Sequence, residues 1–331
     1  MTQQSFINRR QEFWTEFEAI LQSAQRHKLR GNIKNISSFP KRYRELTQDL
    51  NTAKANGFDP LIREKLNSMV LEGNQLLYAN PPLSIKAIAD FLLRGFPQAV
   101  RSQWRSFGAA FLIFYGLGII TALICIQNPE AVHLFIGADT VNNLERMYDP
   151  ASEYFLNPRD ISSDADMFGF YIYNNISIAF RTFAGGILAG FGSLLFLCFN
   201  GIHLGAAAAF IINTGFGETF FPFVIAHSSF ELTAIIMAAQ AGFILGYSFF
   251  FTGGLSRAAS IKKAGKTALP IISGAALMLF IAAGIEAFWS SRHEFSLILR
   301  YASGAVYWVL VILYLTLAGR RSAQRNSGFT P

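Results

Sequence analysis

The chain is poor in charge and in cysteine. Only 15% of its 331 residues are Asp, Glu, Lys or Arg, against 52% hydrophobic residues and 33 phenylalanines, a balance that indicates a surface facing lipid rather than water. The two cysteines, Cys125 and Cys198, both lie in apolar segments, so neither a disulfide framework nor a cysteine-rich metal site is indicated. The composition predicts a polytopic membrane protein.

Several sequence motifs are missing as well. The first ten residues are polar and have neither an apolar core nor a small-residue cleavage site, so we expect no secretory signal and a cytoplasmic N-terminus. The chain has no HExxH zinc motif, no P-loop and no dinucleotide fingerprint, which are the usual local signatures of zinc, ATP and redox chemistry. We therefore predict that the chain is not an enzyme and has no catalytic, cofactor-binding or metal-binding residues.

The net charge of +7 lies in front of the first long apolar segment. Residues 1–105 contain 16 Lys or Arg and 9 Asp or Glu, whereas residues 106–331 contain 12 of each. A basic segment beside a membrane is explained by attraction to anionic lipid and by the positive-inside rule, and no nucleic-acid recognition motif accompanies it. We expect membrane lipid, and no nucleic acid, as its partner.

Residues 1–105 are predicted to form a cytoplasmic helical region, because aromatic residues recur there at helical spacing among charged ones. Two helices, at 39–56 and 59–78, form a hairpin in this prediction, with a break at Gly57 between them. The stretch 83–104 alternates apolar and basic residues, which is typical of an interfacial helix that leads into the bilayer.

Five stretches have the length needed to cross a hydrocarbon core about 30 Å thick. They are residues 107–126, 175–199, 227–251, 268–289 and 302–318. The shorter stretch 201–213 is predicted to add a sixth span, with 219–226 beside it as a re-entrant segment broken at Pro222. Six crossings place the basic loop around Lys263 and the basic tail in the cytoplasm, as the Lys and Arg bias requires.

The predicted architecture is an all-α, polytopic membrane helix bundle of about six spans with an N-terminal cytoplasmic helical region. Its transmembrane domain covers residues 106–319 and is followed by a cytoplasmic basic tail, 320–331. The loop 127–174 is external and contains eight acidic residues. We expect a multi-pass protein of the inner (plasma) membrane with both termini in the cytoplasm.

Small residues recur four positions apart in the apolar segments. The pairs are Gly186 and Gly190, Gly201 and Gly205, and Gly242 and Gly246. Such stripes let helix backbones approach closely where hydrophobicity gives helices no reason to associate. They favour packing within the chain, and a homo-oligomer face is the alternative.

Ionisable and amide side chains within or beside the apolar segments form the candidate functional cluster. They are Asn174, Asn175, Arg181, Asn200, His203, Glu218, His227, Glu231 and Glu286. A charged side chain in hydrocarbon costs about 2.5–3.5 kcal/mol on insertion scales, so it usually faces protein or a water-filled cavity. We expect most of these residues to meet in an outward-facing cavity, with His203 at the opposite end of the bundle.

His227 and Glu231 are the central pair of this cluster. They lie one helical turn apart on the face that carries Ala234, Ala238 and the Gly242 stripe, so this face is predicted to contact another helix. Arg181 is predicted to pair with Glu231, because an ion pair would compensate two charges at once.

Three functions are compatible with this pattern. A membrane scaffold or accessory subunit would use the polar residues to fix helix packing. A transporter would use His227 and Glu231 as a proton relay beside the broken segment 201–222. An intramembrane hydrolase would need a base aligned with Ser228 or Ser229. We favour the scaffold, because the sequence contains no complete catalytic set and no clear duplicated halves.

Four ordered segments resemble the stage II sporulation protein M family. They are FGFYIYNNI at 168–176, FAGG at 183–186, NGIHLG at 200–205 and HSSFEL at 227–232. In the N-terminal region, YRELTQDL at 43–50 and LNSMV at 66–70 are similar to the longer, non-sporulation members. One departure is Ser228, since glycine often follows this histidine in the family.

The resemblance implies a multi-spanning inner-membrane protein without an established catalytic activity. The sporulation member helps to place cell-wall hydrolases during engulfment, and the longer members are typically encoded with a MoxR-type ATPase and other membrane proteins. The implied partners are therefore other membrane or envelope proteins, among them such an ATPase or cell-wall enzymes. A family transfers fold better than process, so no role in sporulation is implied, and the matching asparagines, glycines, His227 and Glu231 are motif positions only.

Overall fold

A computed structural model describes residues 2–26, 38–78, 84–153, 161–292 and 294–320, and these residues form helices joined by turns, without a strand. The chain packs as two compact units, residues 1–88 and residues 89–331. The prediction of an all-α architecture with a helical N-terminal region is confirmed.

Three helices form the first unit: α1 (Gln3–Arg26), α2 (Phe39–Ala55) and α3 (Pro60–Tyr78). The predicted hairpin is confirmed, because α2 and α3 are joined by a turn in which Gly57 has a φ of +63°, a left-handed conformation that glycine adopts without steric cost. The unit has its own apolar core, with Phe17, Phe39 and Leu46 fully buried.

Ten further helices follow among the described residues. They are α4 (Ile85–Asp90), α5 (Phe96–Ser102), α6 (Trp104–Gln127), α7 (Val132–Phe135), α8 (Ala138–Tyr148), α9 (Ile161–Ala184), α10 (Phe191–Thr214), α11 (Gly217–Phe250), α12 (Arg257–Ile285) and α13 (Leu297–Leu317). A π-helical turn, Glu286–Ser290, continues α12. Within the part of the chain that the structure describes, five helices, α6 and α10 to α13, are long and apolar enough to cross a membrane. Helix α9 has the length but carries Asp164 and Asp166 near its start. The predicted membrane helix bundle is confirmed.

The predicted span 175–199 is wrong, because the chain turns in the middle of it. Helix α9 ends at Ala184, and α10 begins after Gly190, which has a φ of +85°. The glycine-rich sequence between them permits this left-handed turn, which apolarity alone does not reveal. The stretch 201–213 is therefore the second half of a complete span, Phe191–Thr214, rather than a short span of its own.

The predicted re-entrant segment 219–226 is also wrong. These residues form the first turns of α11, a continuous helix of 34 residues that contains Pro222. A proline near a helix start removes one backbone hydrogen bond and is tolerated in membrane helices when neighbouring groups compensate. Helix α11 is the central helix of the bundle and packs against α6, α9, α10, α12 and α13.

The glycine stripes lie at close helix contacts within the chain, as predicted. A Cβ atom on Gly205 would overlap the carbonyl oxygen of Gly118 in α6, and one on Gly246 would overlap the backbone of Gly190. Gly186 meets the backbone of Gly242 in the same way. Gly186 and Gly190 themselves lie in the turn between α9 and α10 and not within a helix.

The predicted interfacial stretch 83–104 divides into two parts. Ile85 and Ile88 in α4 are exposed, as an interfacial helix requires, whereas Phe96 in α5 is 2% exposed and belongs to the core of the bundle. The guanidinium of Arg101 donates to the carbonyl oxygens of Leu315 and Ala318. Helix α5 therefore caps the C-terminal end of α13.

The predicted external loop 127–174 is partly helical. It contains α7 and α8, and α9 begins at Ile161 rather than after Asn174. The carboxylate of Asp164 in the first turn of α9 accepts a hydrogen bond of 2.7 Å from Arg292, and Asp164 is 1% exposed. One of the eight acidic residues is therefore a buried, paired group rather than part of an acidic surface.

Candidate functional site

The structure brings three of the predicted site residues together: His227, Glu231 and Glu286. The atoms by which they could bind a metal ion, an imidazole nitrogen and two carboxylate oxygens, all lie within 4.8 Å of one another. His227 and Glu286 are 4% and 9% exposed, and the Glu231 side chain is 21% exposed. We call these three residues the His-Glu-Glu cluster.

Two neighbouring helices supply the cluster. His227 and Glu231 lie one turn apart on α11, on the face that continues through the buried Ala234 and Ala238, so the prediction that this face is interior is confirmed. Glu286 comes from the π-helical turn that continues α12. Such turns interrupt the regular helical spacing and occur frequently at functional sites.

The imidazole of His227 is held from both sides. Its Nδ1 atom lies 3.1 Å from the hydroxyl of Ser290, and its ring stands edge-on to Phe223 with 5.3 Å between the ring centroids. Its Nε2 atom is 3.8 Å from a carboxylate oxygen of Glu231, which is longer than a hydrogen bond. The ring therefore presents Nε2 to Glu231 while Ser290 contacts its other nitrogen.

Sequence reasoning missed two residues of this site, Ser290 and Arg300. Arg300 lies in the first turn of α13, is 4% exposed, and donates from its guanidinium to the backbone carbonyl of Ser290 over 3.0 Å. The signal that could have found it is its position, because a buried arginine inside an apolar span is costly and functional by default. Arg300 ties the start of α13 to the π-helical turn.

The two asparagines of α9 take different positions. Asn175 is buried, and its carboxamide oxygen accepts a hydrogen bond of 3.1 Å from exposed Asn174. One turn earlier, Tyr171 packs against Ala283 and Ala287, which lie on either side of Glu286 along its helix. The α9 segment thus covers the α12 side of the His-Glu-Glu cluster.

The remaining predicted site residues lie elsewhere. Arg181 is exposed near the end of α9, and no ion pair joins it to Glu231 among the described residues, so the predicted pair is wrong. Thr182, the residue after Arg181, contacts α11 at Gly242. Gly242 is about 16 Å along α11 from Glu231, at a rise of 1.5 Å per residue. The guanidinium of Arg181 therefore lies too far along the bundle from Glu231 to pair with it.

Three further residues are separate from the cluster. Glu218 is exposed in the first turn of α11. Asn200 donates to the carbonyl of Phe196 in its own helix, and His203 stacks on Phe199 in the middle of α10. The expectation that His203 lies at one end of the bundle is therefore wrong, because α10 begins ten residues before the predicted stretch 201–213.

Two cavities in the second unit are lined by apolar residues. One, of about 680 Å³, lies between α6 and α13 over Thr233 and Ile236 of α11. The other, of about 260 Å³, lies between α12 and α13 beside Phe230. Neither is lined by a member of the His-Glu-Glu cluster, so neither is the outward polar cavity that was expected.

The fold and the site together define a class, a multi-pass helical membrane protein with a buried polar cluster between two central helices. The model of the family described as stage II sporulation protein M matches residues 108–291. This match covers more than half of the chain, including the whole cluster, and the chain belongs to that family.

The first unit is described by a second match. Residues 4–79 match a family described as a domain of unknown function (DUF8413), and they correspond to the three helices α1 to α3. No match was found among curated proteins or among solved structures.

Proposed function

We propose that this chain is a non-catalytic accessory subunit, or scaffold, of a multi-protein envelope complex. The observation that carries the proposal is the position of the His-Glu-Glu cluster, which is largely buried where α11 meets the π-helical turn after α12. A site that handles a substrate needs a concave approach, whereas buried polar contacts between membrane helices hold the helices in register. The cluster therefore supports a structural role better than transport or hydrolysis.

The first unit supplies the surface for partners in this proposal. Its three helices enclose a core of their own, and α3 exposes Leu61 and Leu71, which are 75% and 56% exposed. Large apolar side chains on the surface of a small helical unit favour association with another protein. With the protein in the inner membrane and both termini in the cytoplasm, a MoxR-type ATPase would meet this unit, and cell-wall enzymes would meet the opposite side.

The test is co-purification of partners with the full chain in mild detergent. We expect the double variant Leu61→Glu and Leu71→Glu to lower recovery of the ATPase by roughly tenfold or more, because charge on an apolar contact surface removes its central contacts. The variant Gln48→Glu with Asn51→Glu adds the same charge at exposed positions of α2 and should retain the partner. Glu231→Gln should retain it as well.

Other outcomes would refute the proposal. Equal recovery of the ATPase by both double variants would show that Leu61 and Leu71 of α3 do not form the docking surface. Turnover of a peptide or glycan by the purified chain alone would show catalysis, and proton-coupled uptake by reconstituted vesicles that Glu231→Gln abolishes would show transport.

A further inference from the structure

The geometry points to a divalent metal site formed by His227, Glu231 and Glu286, with Zn²⁺ as its ion and with α11 and α12 joined through it. The sequence analysis predicted no metal site, because no HExxH motif is present. The third ligand comes from the π-helical turn after α12 and becomes visible only in the folded chain. The inference goes beyond the proposed scaffold function and does not depend on it.

The three ligand groups suit a metal ion that is intermediate between hard and soft in its ligand preference. One imidazole nitrogen and two carboxylate oxygens are a ligand combination that Zn²⁺ accepts, and three protein ligands leave a fourth position for water or another group. Ca²⁺ and Mg²⁺ prefer sites made of oxygen atoms alone. The imidazole therefore favours a transition ion over the hard cations.

The spacing of the three groups is close to what an ion requires. Ligand atoms bound to Zn²⁺ at 2.0–2.2 Å in tetrahedral geometry lie about 3.4 Å apart. The Nε2 atom of His227 is 3.8 Å from the Glu231 oxygen, and all three ligand atoms lie within 4.8 Å of one another. Side-chain adjustments of about 1 Å or less, with no change of the helix backbone, would bring them into coordination.

The surroundings of the imidazole provide a second, independent observation. A histidine that binds a metal through one ring nitrogen usually makes a hydrogen bond through the other, which fixes the ring and its tautomer. In this structure Ser290 Oγ lies 3.1 Å from Nδ1, while Nε2 faces the Glu231 carboxylate at 3.8 Å. Ser290 is itself 1% exposed and its carbonyl accepts from Arg300, so its backbone is held by α13.

Metal content of the purified full chain is the first test. The chain would be prepared with an affinity tag that contains no histidine and without chelator, and its bound metals measured by mass spectrometry of the elements. We expect about one Zn²⁺ per chain, the stoichiometry of a single site. Glu286→Gln, Glu231→Gln and His227→Ala should each lower retained Zn²⁺ by roughly tenfold or more, since loss of an outer-sphere partner alone costs 10- to 100-fold in affinity.

Two matched controls separate a built site from general metal binding. Glu218→Gln removes an exposed glutamate from the same helix, and His203→Asn removes a histidine from the middle of α10. Both should retain Zn²⁺ at the level of the unchanged chain. If all the cluster variants retain it too, the result is an adventitious ion only and the site is refuted.

A measurement on the unchanged chain covers the case in which cluster variants fail to fold. Removal of metal by a chelator should lower the Tm in detergent, and added Zn²⁺ should restore it, whereas Mg²⁺ should not. Restoration by Mn²⁺ or Fe²⁺ in place of Zn²⁺ would overturn the choice of ion. Absence of bound metal together with no change in Tm from any of these ions would overturn the site. Neither readout involves partner recovery, so failure of the metal site and failure of the scaffold function are distinguishable.

Discussion

Asp49 joins α1 to α2 in the first unit and is almost completely buried. Its carboxylate accepts hydrogen bonds of 2.8 Å from the guanidinium of Arg10 and from the indole of Trp14. Glu45 also approaches Arg10, at 3.7 Å, but its side chain is 38% exposed. The two acidic residues share one cationic partner, but Asp49 is buried and accepts two short hydrogen bonds whereas Glu45 is more exposed and more distant, so Glu45 is the control for Asp49.

We predict that Asp49→Ala destabilises the first unit by about 2–3 kcal/mol, because it leaves the buried indole of Trp14 and the partly buried guanidinium of Arg10 without their acceptor. Glu45→Ala should change stability by less than about 0.5 kcal/mol, since exposed ion pairs contribute little. The rate of tryptic cleavage within residues 1–78 of the full chain measures the difference, and a loss of about 2 kcal/mol should raise it roughly 30-fold. Similar rates for the two variants would contradict the role given to Asp49.

Contacts between the membrane helices depend on glycines whose positions leave no room for a side chain. Helices α6 and α10 meet where Gly118 faces Gly201 and Gly205, and a Cβ atom on Gly205 would overlap the backbone of α6. Gly116, two residues before Gly118 on α6, has nothing within 4 Å of the position of a Cβ atom. The two helices therefore pack through a narrow strip of backbone.

We predict that Gly205→Ala destabilises the bundle by about 1–3 kcal/mol, the usual cost of overpacking. Gly116→Ala should be neutral or slightly stabilising, because alanine has the higher helix propensity and meets no neighbour. Thermal unfolding in detergent provides the comparison. Equal Tm values for the two variants would show that α6 and α10 can separate at little cost.

The whole molecule is predicted to cross the membrane with both termini in the cytoplasm. If α9 crosses in addition to the five apolar helices, six crossings bring the chain back to the side on which α6 starts. The Lys and Arg residues at the start of α12 then lie in the cytoplasm, as the positive-inside rule requires. Asp139 in α8 and Lys263 in α12 are both exposed, and the predicted topology places them on opposite sides of the membrane.

Labelling with a membrane-impermeant maleimide tests this orientation. In a chain whose two native cysteines are replaced by alanine, Asp139→Cys should react in intact spheroplasts, and Lys263→Cys only after lysis. The reverse pattern would place the N-terminus outside, and reaction of both in intact spheroplasts would mean that the two positions share a side.

Sequence patterns predicted the elements better than their connections. The hairpin of α2 and α3 was found because glycine at the turn and the proline at the start of α3 mark both ends. The turn between α9 and α10 was missed because its residues are as apolar as the helices on either side, so hydropathy continues through it. The interior face of α11 was found, since His227, Ala234 and Ala238 follow the helical repeat.

What the sequence by itself determined was the class of protein, the helical composition, the apolar lengths and the small-residue stripes, because each depends on residues close together along the chain. Only the tertiary structure decided which polar groups meet. Glu286 reaches His227 and Glu231 from another helix, and Arg300 reaches Ser290 from a third, whereas Arg181 lies far along the bundle from its predicted partner. Depth and rotation of packed helices set these contacts, and both depend on where the glycine turn after α9 and the π-helical turn after α12 place the backbone.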